Sequence, residues 1–205
     1  QIHWYADILE GYDKKIFKEV DSTNALAMRL LNDLSCPTWI MAEKQTAGRG
    51  RRGRAWKDQS GNFAATLVLF PKEPPEMQAL RSFVASLALF DTFVMLTGRA
   101  ASFSLKWPND VLLRGRKVAG ILLETKKNKF GQDVLFIGIG VNLLKAPDIT
   151  DLEECVTAPV SLFAETGLKI KPQRFLETLI PSYARLEVLF QTGGFASIRQ
   201  KWMER

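Results

Sequence analysis

A single histidine, His3, stands near the start of this chain of 205 residues. Catalysis by a histidine-centred triad, or a metal held by histidines, therefore has no material to work with. Cysteine is almost as scarce. Cys36 and Cys155 are too few and too far apart for a disulfide framework or a zinc site, and they are expected as buried free thiols in a reducing, cytoplasmic setting. Long apolar runs are missing too: the longest, residues 82–98, is interrupted by Asp91 and falls short of a bilayer span. There is no signal-peptide pattern, so no membrane partner is expected. No internal repeat and no low-complexity tract divides the chain.

What remains is a globular profile. Apolar residues make up 46% and charged residues 24%, enough for one sizeable core in a single domain over 1–205. The net charge of +6 weakly favours an anionic partner. Asp21 or Ser22 can cap a helix in which Leu26, Leu30 and Leu34 recur at helical spacing. "TWIMAE" reads as a strand, residues 45–61 as a long loop, and "NFAATLVLF" as a strand ending at Pro71. "KEPPE" is expected as a turn, followed by a buried helix marked by Phe83, Leu87, Phe90 and Val94. Four runs at strand length follow: "FSLKW", "DVLLR", "KVAGILLET" and "DVLFIGIGVNL". Two helices close the chain, the first expected to kink or break at Pro181. The sum is an α/β or α+β fold, a mixed β-sheet with flanking helices.

Against this regular pattern stands "AGRGRRGRAW", residues 47–56, with four arginines and three glycines closed by a tryptophan. Its backbone is expected to hold neither helix nor strand. Three readings compete. It is a solvated turn, although Trp56 is an expensive residue for one. It is a nucleic-acid contact, with arginines on phosphates and the aromatic ring on a base, although no face elsewhere carries a matching basic stripe. Or it is a cradle for one small anion, with glycines letting backbone N–H groups approach and arginines adding forked donors. The spacing matches neither a P-loop nor a dinucleotide fingerprint.

The loop has company. "DSTN" precedes it, and "KWPNDVLLRGRKVAGILLE" and "GIGVNL" follow in order. With all four motifs at this spacing, residues 18–202 resemble the biotin protein ligases. That resemblance implies a catalytic domain akin to class II synthetase and biotin–lipoate ligase folds. It implies ATP and biotin as substrates, Mg²⁺, and two half-reactions. Biotin and ATP give biotinyl-5′-AMP and pyrophosphate; the acyl group then passes to a lysine of a biotin carboxyl carrier domain. It leaves a homodimer open. A lipoate ligase-like acyl-adenylating enzyme shares fold and logic, but "KWPND" followed by "RKVAGILLE" favours biotin. A nucleic-acid-binding module using the basic loop is the alternative from another class.

The residues suit the chemistry. A carboxylic acid of pKa roughly 4 is ionised at neutral pH and needs no general base. Two anions must instead be aligned and the developing charge stabilised, and the mixed anhydride must be shielded from water by a closing loop that is mobile when empty. By resemblance, Ser22, Thr23, Asn24 and Gln45 lie at the biotin head group, and Gly48, Arg49, Gly50 and Arg51 wrap biotin and phosphate. Arg49, Arg51 and Arg52 are assigned to the adenylate, with a solvent-facing reading open for Arg52 and Arg54. Trp56 is placed near the adenine or, alternatively, as an anchor for the loop base. From "KWPND" come Lys106, Asn109 on the nucleotide, and Asp110 as candidate proton acceptor in acyl transfer, with Mg²⁺ binding or turn capping as its other readings. Lys117 is expected to meet the biotin carboxylate and α-phosphate, Gly120 to clear a path for ligand, and Asn142 to contact the adenine. No metal ligands are assigned. Relatives often carry an SH3-like domain after "KWMER" and some an N-terminal winged helix; this sequence stops at the former point and has about twenty residues before "DSTN". Both modules are expected to be absent, and with them sequence-specific DNA binding.

Overall fold

A computed structural model describes residues 11–148 and 157–205. Among these described residues, seven strands form one sheet: β1 (Asp13–Val20), β2 (Thr38–Gln45), β3 (Phe63–Leu69), β4 (Phe103–Lys106), β5 (Asp110–Leu113), β6 (Arg116–Lys127) and β7 (Asp133–Val141), in the order β1-β2-β3-β7-β6-β5-β4. Only β1 and β2 pair in parallel; every other neighbour is antiparallel. The helices are α1 (Thr23–Leu30), α2 (Pro75–Gln78), α3 (Arg81–Thr97), α4 (Leu162–Thr166) and α5 (Pro172–Met203). This is the mixed sheet with flanking helices that the strand-length runs predict.

The two faces of the sheet are covered unequally, and that creates the site. Along β7, Leu135, Ile137, Ile139 and Val141 point to one face, where they join Phe93 of α3 and Phe175 and Tyr183 of α5 in the main core. The alternate residues Val134 and Phe136 belong to a smaller cluster under α1. The same alternation then places Gly138, Gly140 and Asn142 beyond the reach of that short helix. Two long helices thus seal one face, while one eight-residue helix leaves part of the other open.

Several expectations need correction. "KEPPE" opens a short helix, α2, rather than serving only as a turn. Residues Pro75–Thr97 are long and apolar enough to cross a membrane by length and composition, contrary to the estimate from 82–98 alone. Yet 61% of its most apolar 18 residues are buried inside the fold, as befits a core helix. α5 keeps helical dihedrals through Pro181 and breaks instead at Gly194, whose φ of 66° and ψ of −173° only glycine adopts easily. Packing of Leu179, Ile180 and Tyr183 on both sides of the proline offsets its one missing hydrogen bond. Cys36 is exposed, not buried; Cys155 and His3 lie outside the described residues.

Candidate active site

Ser22 caps α1, its hydroxyl accepting from the Ala25 N–H. This fixes the next two residues over the sheet. Thr23 is locked by Gln45, whose Oε1 accepts from the Thr23 N–H at 2.8 Å and lies 3.2 Å from its hydroxyl. Asn24 lies on Gly138, where a Cβ would come within 2.5 Å of its Oδ1, so this floor position demands glycine. Thr66 Oγ1 reaches both Thr23 Oγ1 at 2.8 Å and Asn24 Oδ1 at 2.5 Å. The carbonyl oxygen of Asn24 can only accept, so Thr66 donates to it and Thr23 in turn donates to Thr66. The beginning of α1 is thereby a rigid neutral polar wall.

The arginine-rich segment is folded, against expectation. Arg49 and Ala55 form an antiparallel bridge, and Gly50 N–H donates to Arg54 carbonyl at 2.7 Å and Trp56 N–H to Gly48 carbonyl at 2.9 Å. Arg52 (φ 58°) and Gly53 (φ 74°) make the tip, the paired positive φ values of a tight hairpin turn. The hairpin aims Trp56 back into the molecule. Its indole lies against Gly140 and Gly120: a Cβ on Gly140 would collide with it at 2.4 Å, and one on Gly120 would crowd it at 3.1 Å. Asp58 staples the hairpin base: its Oδ2 accepts from Gln45 N–H at 2.9 Å, and its buried Oδ1 has no partner.

Burial, opposed by the N–H donors of Gln45 and Gln59, pushes the Asp58 carboxyl up to about 6. Its proton is therefore held more tightly in the folded chain than in the unfolded one. The associated stability is fully present below the unfolded value near 4 and is lost as pH rises through about 6. Urea denaturation at pH 4.5 and pH 7 should show this loss in the parent and not in Asp58→Asn. The same pH difference in both proteins would remove Asp58 as its source.

The third wall comes from β4, β5 and β6. Cα pairing sets Lys106 opposite Asp110 and Asp110 opposite Gly120. A bulge between Val111 and Leu112 shifts the register of β6, so that Lys117 shares the open face with Gly120 and Leu122 while Val118 and Ala119 enter the core. Lys117 Nζ stands 2.8 Å from Asp110 Oδ1, in an approach not aligned as a hydrogen bond, and 5.8 Å from the Trp56 ring centre. Lys106 donates to Thr157 at 2.6 Å. Backbone bonds from Lys117 to Ala158 and Val160 hold the neighbouring segment in place.

Together these walls enclose a cavity of about 470 Å³, within the range of small-molecule sites. Among the described residues, seven cationic side chains line it (Arg49, Arg51, Arg52, Arg54, Lys57, Lys106 and Lys117) against one carboxylate, Asp110. Ser22, Thr23, Asn24, Gln45, Gly50, Trp56, Gly120 and Asn142 line it as well, and Asn142 Oδ1 is buried without a partner. Two expected residues stand apart. Gly48 belongs to the hairpin base, where a Cβ would strike the Trp56 carbonyl. Asn109 is turned away: its amide donates to the Ile121 carbonyl at 3.3 Å, bracing β5 against β6. Thr66, Asp58, Gly138 and Gly140 were not singled out from the sequence. The large–small alternation of "FIGIG" was the available sign for the two glycines.

Residues 16–142 match the model of the biotin/lipoate A/B protein ligase family. A biotin--[acetyl-CoA-carboxylase] ligase of Paracoccus denitrificans is 50% identical over 185 residues, 90% of this chain and 77% of that one. The bifunctional ligase/repressor BirA of Bacillus subtilis is 32% identical, over 89% of this chain and 56% of its own length. This chain thus spans little more than half of that relative. Among solved structures, a biotin protein ligase from Aquifex aeolicus in complex with biotin and ATP superposes with a TM-score of 0.78 at 32% identity, over 93% of this chain and 76% of that one.

Proposed function

This chain belongs to the biotin/lipoate A/B protein ligase family, and from that premise we propose that it joins biotin to a lysine of a carboxyl carrier domain through biotinyl-5′-AMP. The observation that carries this reading is the cavity's division of labour: a neutral polar end at α1 beside an end where, among the described residues, cations outnumber carboxylates seven to one. Ser22, Thr23, Asn24 and Gln45 offer the hydroxyl and amide groups that pair with a ureido ring. A carboxylate oxygen of biotin attacks the α-phosphorus, the bond to the bridging oxygen of the β-phosphate breaks, and pyrophosphate leaves. Lys117, with Lys106 and the hairpin arginines, holds the two anions together and stabilises the charge that develops. Asn142 Oδ1, an acceptor in want of a donor, suits the amino group of adenine. Trp56 supplies an apolar face beside it.

The described residues contain no cluster of three metal-ligating side chains. Asp110, with its buried oxygen, is the one carboxylate that the described residues bring to the cavity. That donor set fits a Mg²⁺ held mainly by the triphosphate, which keeps most of its ligands as phosphate and water oxygens and would there neutralise phosphate charge. In the second half-reaction the carrier's lysine, of ordinary pKa near 10.4, loses a proton before its nitrogen attacks the acyl carbon and AMP departs. Asp110 or the adenylate phosphate receives that proton.

Biotin should raise the melting temperature. Saturation at a hundred times Kd is worth about 2.7 kcal/mol, on the order of 5–10 °C for a chain of this size. Isotope exchange between pyrophosphate and ATP should depend on biotin and not on lipoate. Exchange driven by lipoate, or salt-sensitive binding of duplex DNA with no response to biotin, would replace the reading.

A further inference from the structure

Glu124 closes the "RKVAGILLE" motif and has no part in the chemistry above. We propose that it is a positioning residue that ties the arginine hairpin to the head-group wall; its effect on substrate rests on the reading just given. On β6 it follows Gly120 and Leu122 on the open face of the sheet, three-quarters buried. A single oxygen, Oε2, accepts from the Asn24 amide at 2.8 Å and from the Arg49 guanidinium at 2.7 Å. The first contact fixes the orientation of Asn24: its Nδ2 faces Glu124 while its Oδ1 accepts from Thr66. The second draws the first arm of the hairpin across the beginning of α1. A continuous chain results, Gln45–Thr23–Thr66–Asn24–Glu124–Arg49, with the Thr23 N–H making the link to Gln45; its two ends are the start of the loop and the first strand of its hairpin. Glu124 is the only charged acceptor in that chain. It bonds Arg49 by a charge-assisted contact, stronger than a neutral one, and so couples the posture of the hairpin to that of Asn24.

Glu124→Gln separates the two contacts. The amide oxygen still accepts from Asn24, but the charge that holds Arg49 is gone. Trypsin cleavage after Arg51, Arg52 and Arg54 in the protein without added ligand reads the hairpin alone, by the masses of the loop-cut fragments. It should quicken roughly two- to fivefold in Glu124→Gln, the range of a partly exposed ion pair. Arg49→Gln, which opens no core cavity, should quicken it equally, and the double variant should be no faster than either single one. In biotin- and ATP-dependent pyrophosphate release, Glu124→Gln should raise the KM for biotin by a similar factor with kcat within about twofold. Loop cleavage at the parental rate in Glu124→Gln, or additive effects in the double variant, would overturn the proposal. So would a fall in kcat with KM unchanged. If biotin left the parent protein unstabilised, the functional reading would fail while the cleavage series still decided the tie.

Discussion

Replacing Lys117 with alanine should lower biotin- and ATP-dependent pyrophosphate release by a factor on the order of 10²–10³. Loss of one oriented donor from a preorganised site costs about 2–4 kcal/mol of transition-state stabilisation. Three features preorganise this ammonium. The bulge in the β5–β6 pairing turns the side chain to the open face. Asp110, 2.8 Å away, holds it inside the cavity, where the side chain is 28% exposed. Trp56 lies alongside at 5.8 Å. A lysine at a strand entry could instead have snorkelled to bulk water, and the register shift is what prevents it. The fold should survive, because the truncated end lies in the cavity and its loss leaves no core void. Lys117→Arg should recover only part of the rate, since a planar fork cannot stand where a compact point charge stood. Binding of biotin alone should weaken less than catalysis, because Ser22, Thr23 and Gln45 remain. A folded Lys117→Ala protein that releases pyrophosphate at the parental rate would falsify the assignment.

Glu187→Ala should destabilise the fold by about 3–5 kcal/mol, the usual result of stripping one partner from a buried ion pair. Arg81 is 3% exposed and donates to Glu187 through Nε at 3.1 Å and Nη2 at 2.7 Å. Tyr183 and Gln191 donate to the same carboxylate, each at 2.9 Å. Arg81 also pairs with the more exposed Glu73 and lies over the Phe190 ring. Removing Glu187 leaves the guanidinium with one peripheral partner in a core that cannot hydrate it. The melting temperature should fall on the order of 10 °C. Replacing both Arg81 and Glu187 with methionine should cost less than either change alone, because no unpaired charge then stays buried. The network joins α3 to α5 on the sealed face of the sheet, so biotin affinity at low temperature should stay at the parental value. A single variant melting within 2 °C of the parent would show that the pair contributes little.

Local chemistry was enough to place α1 with its serine cap, the apolar strands β2 to β7 and the buried helix α3. Each rests on a period or a cap that neighbours in the chain establish by themselves. The order of the four motifs likewise announced the family and the residues from Ser22 to Asn24, Gln45, the arginines and Lys117 that share the cavity. Strand β1 was not legible: "DKKIFKEV" is an edge strand studded with lysine, and the charges that protect such an edge mask its pattern. Nor was the hairpin in "GRGRRGRAW", because Trp56, which closes it, lies on a floor that two separate strands supply, Gly140 of β7 and Gly120 of β6. Along β6 the period of two is broken by a bulge, so pairing with β5 alone decided that Lys117, Gly120 and Glu124 share one face. The same pairing turned Asn109 to the Ile121 carbonyl and out of the cavity. Period and capping are properties of neighbours in the chain and are written in the sequence. Which face a residue presents, and which distant partner it meets, is set by register across the sheet and by what each helix leaves uncovered.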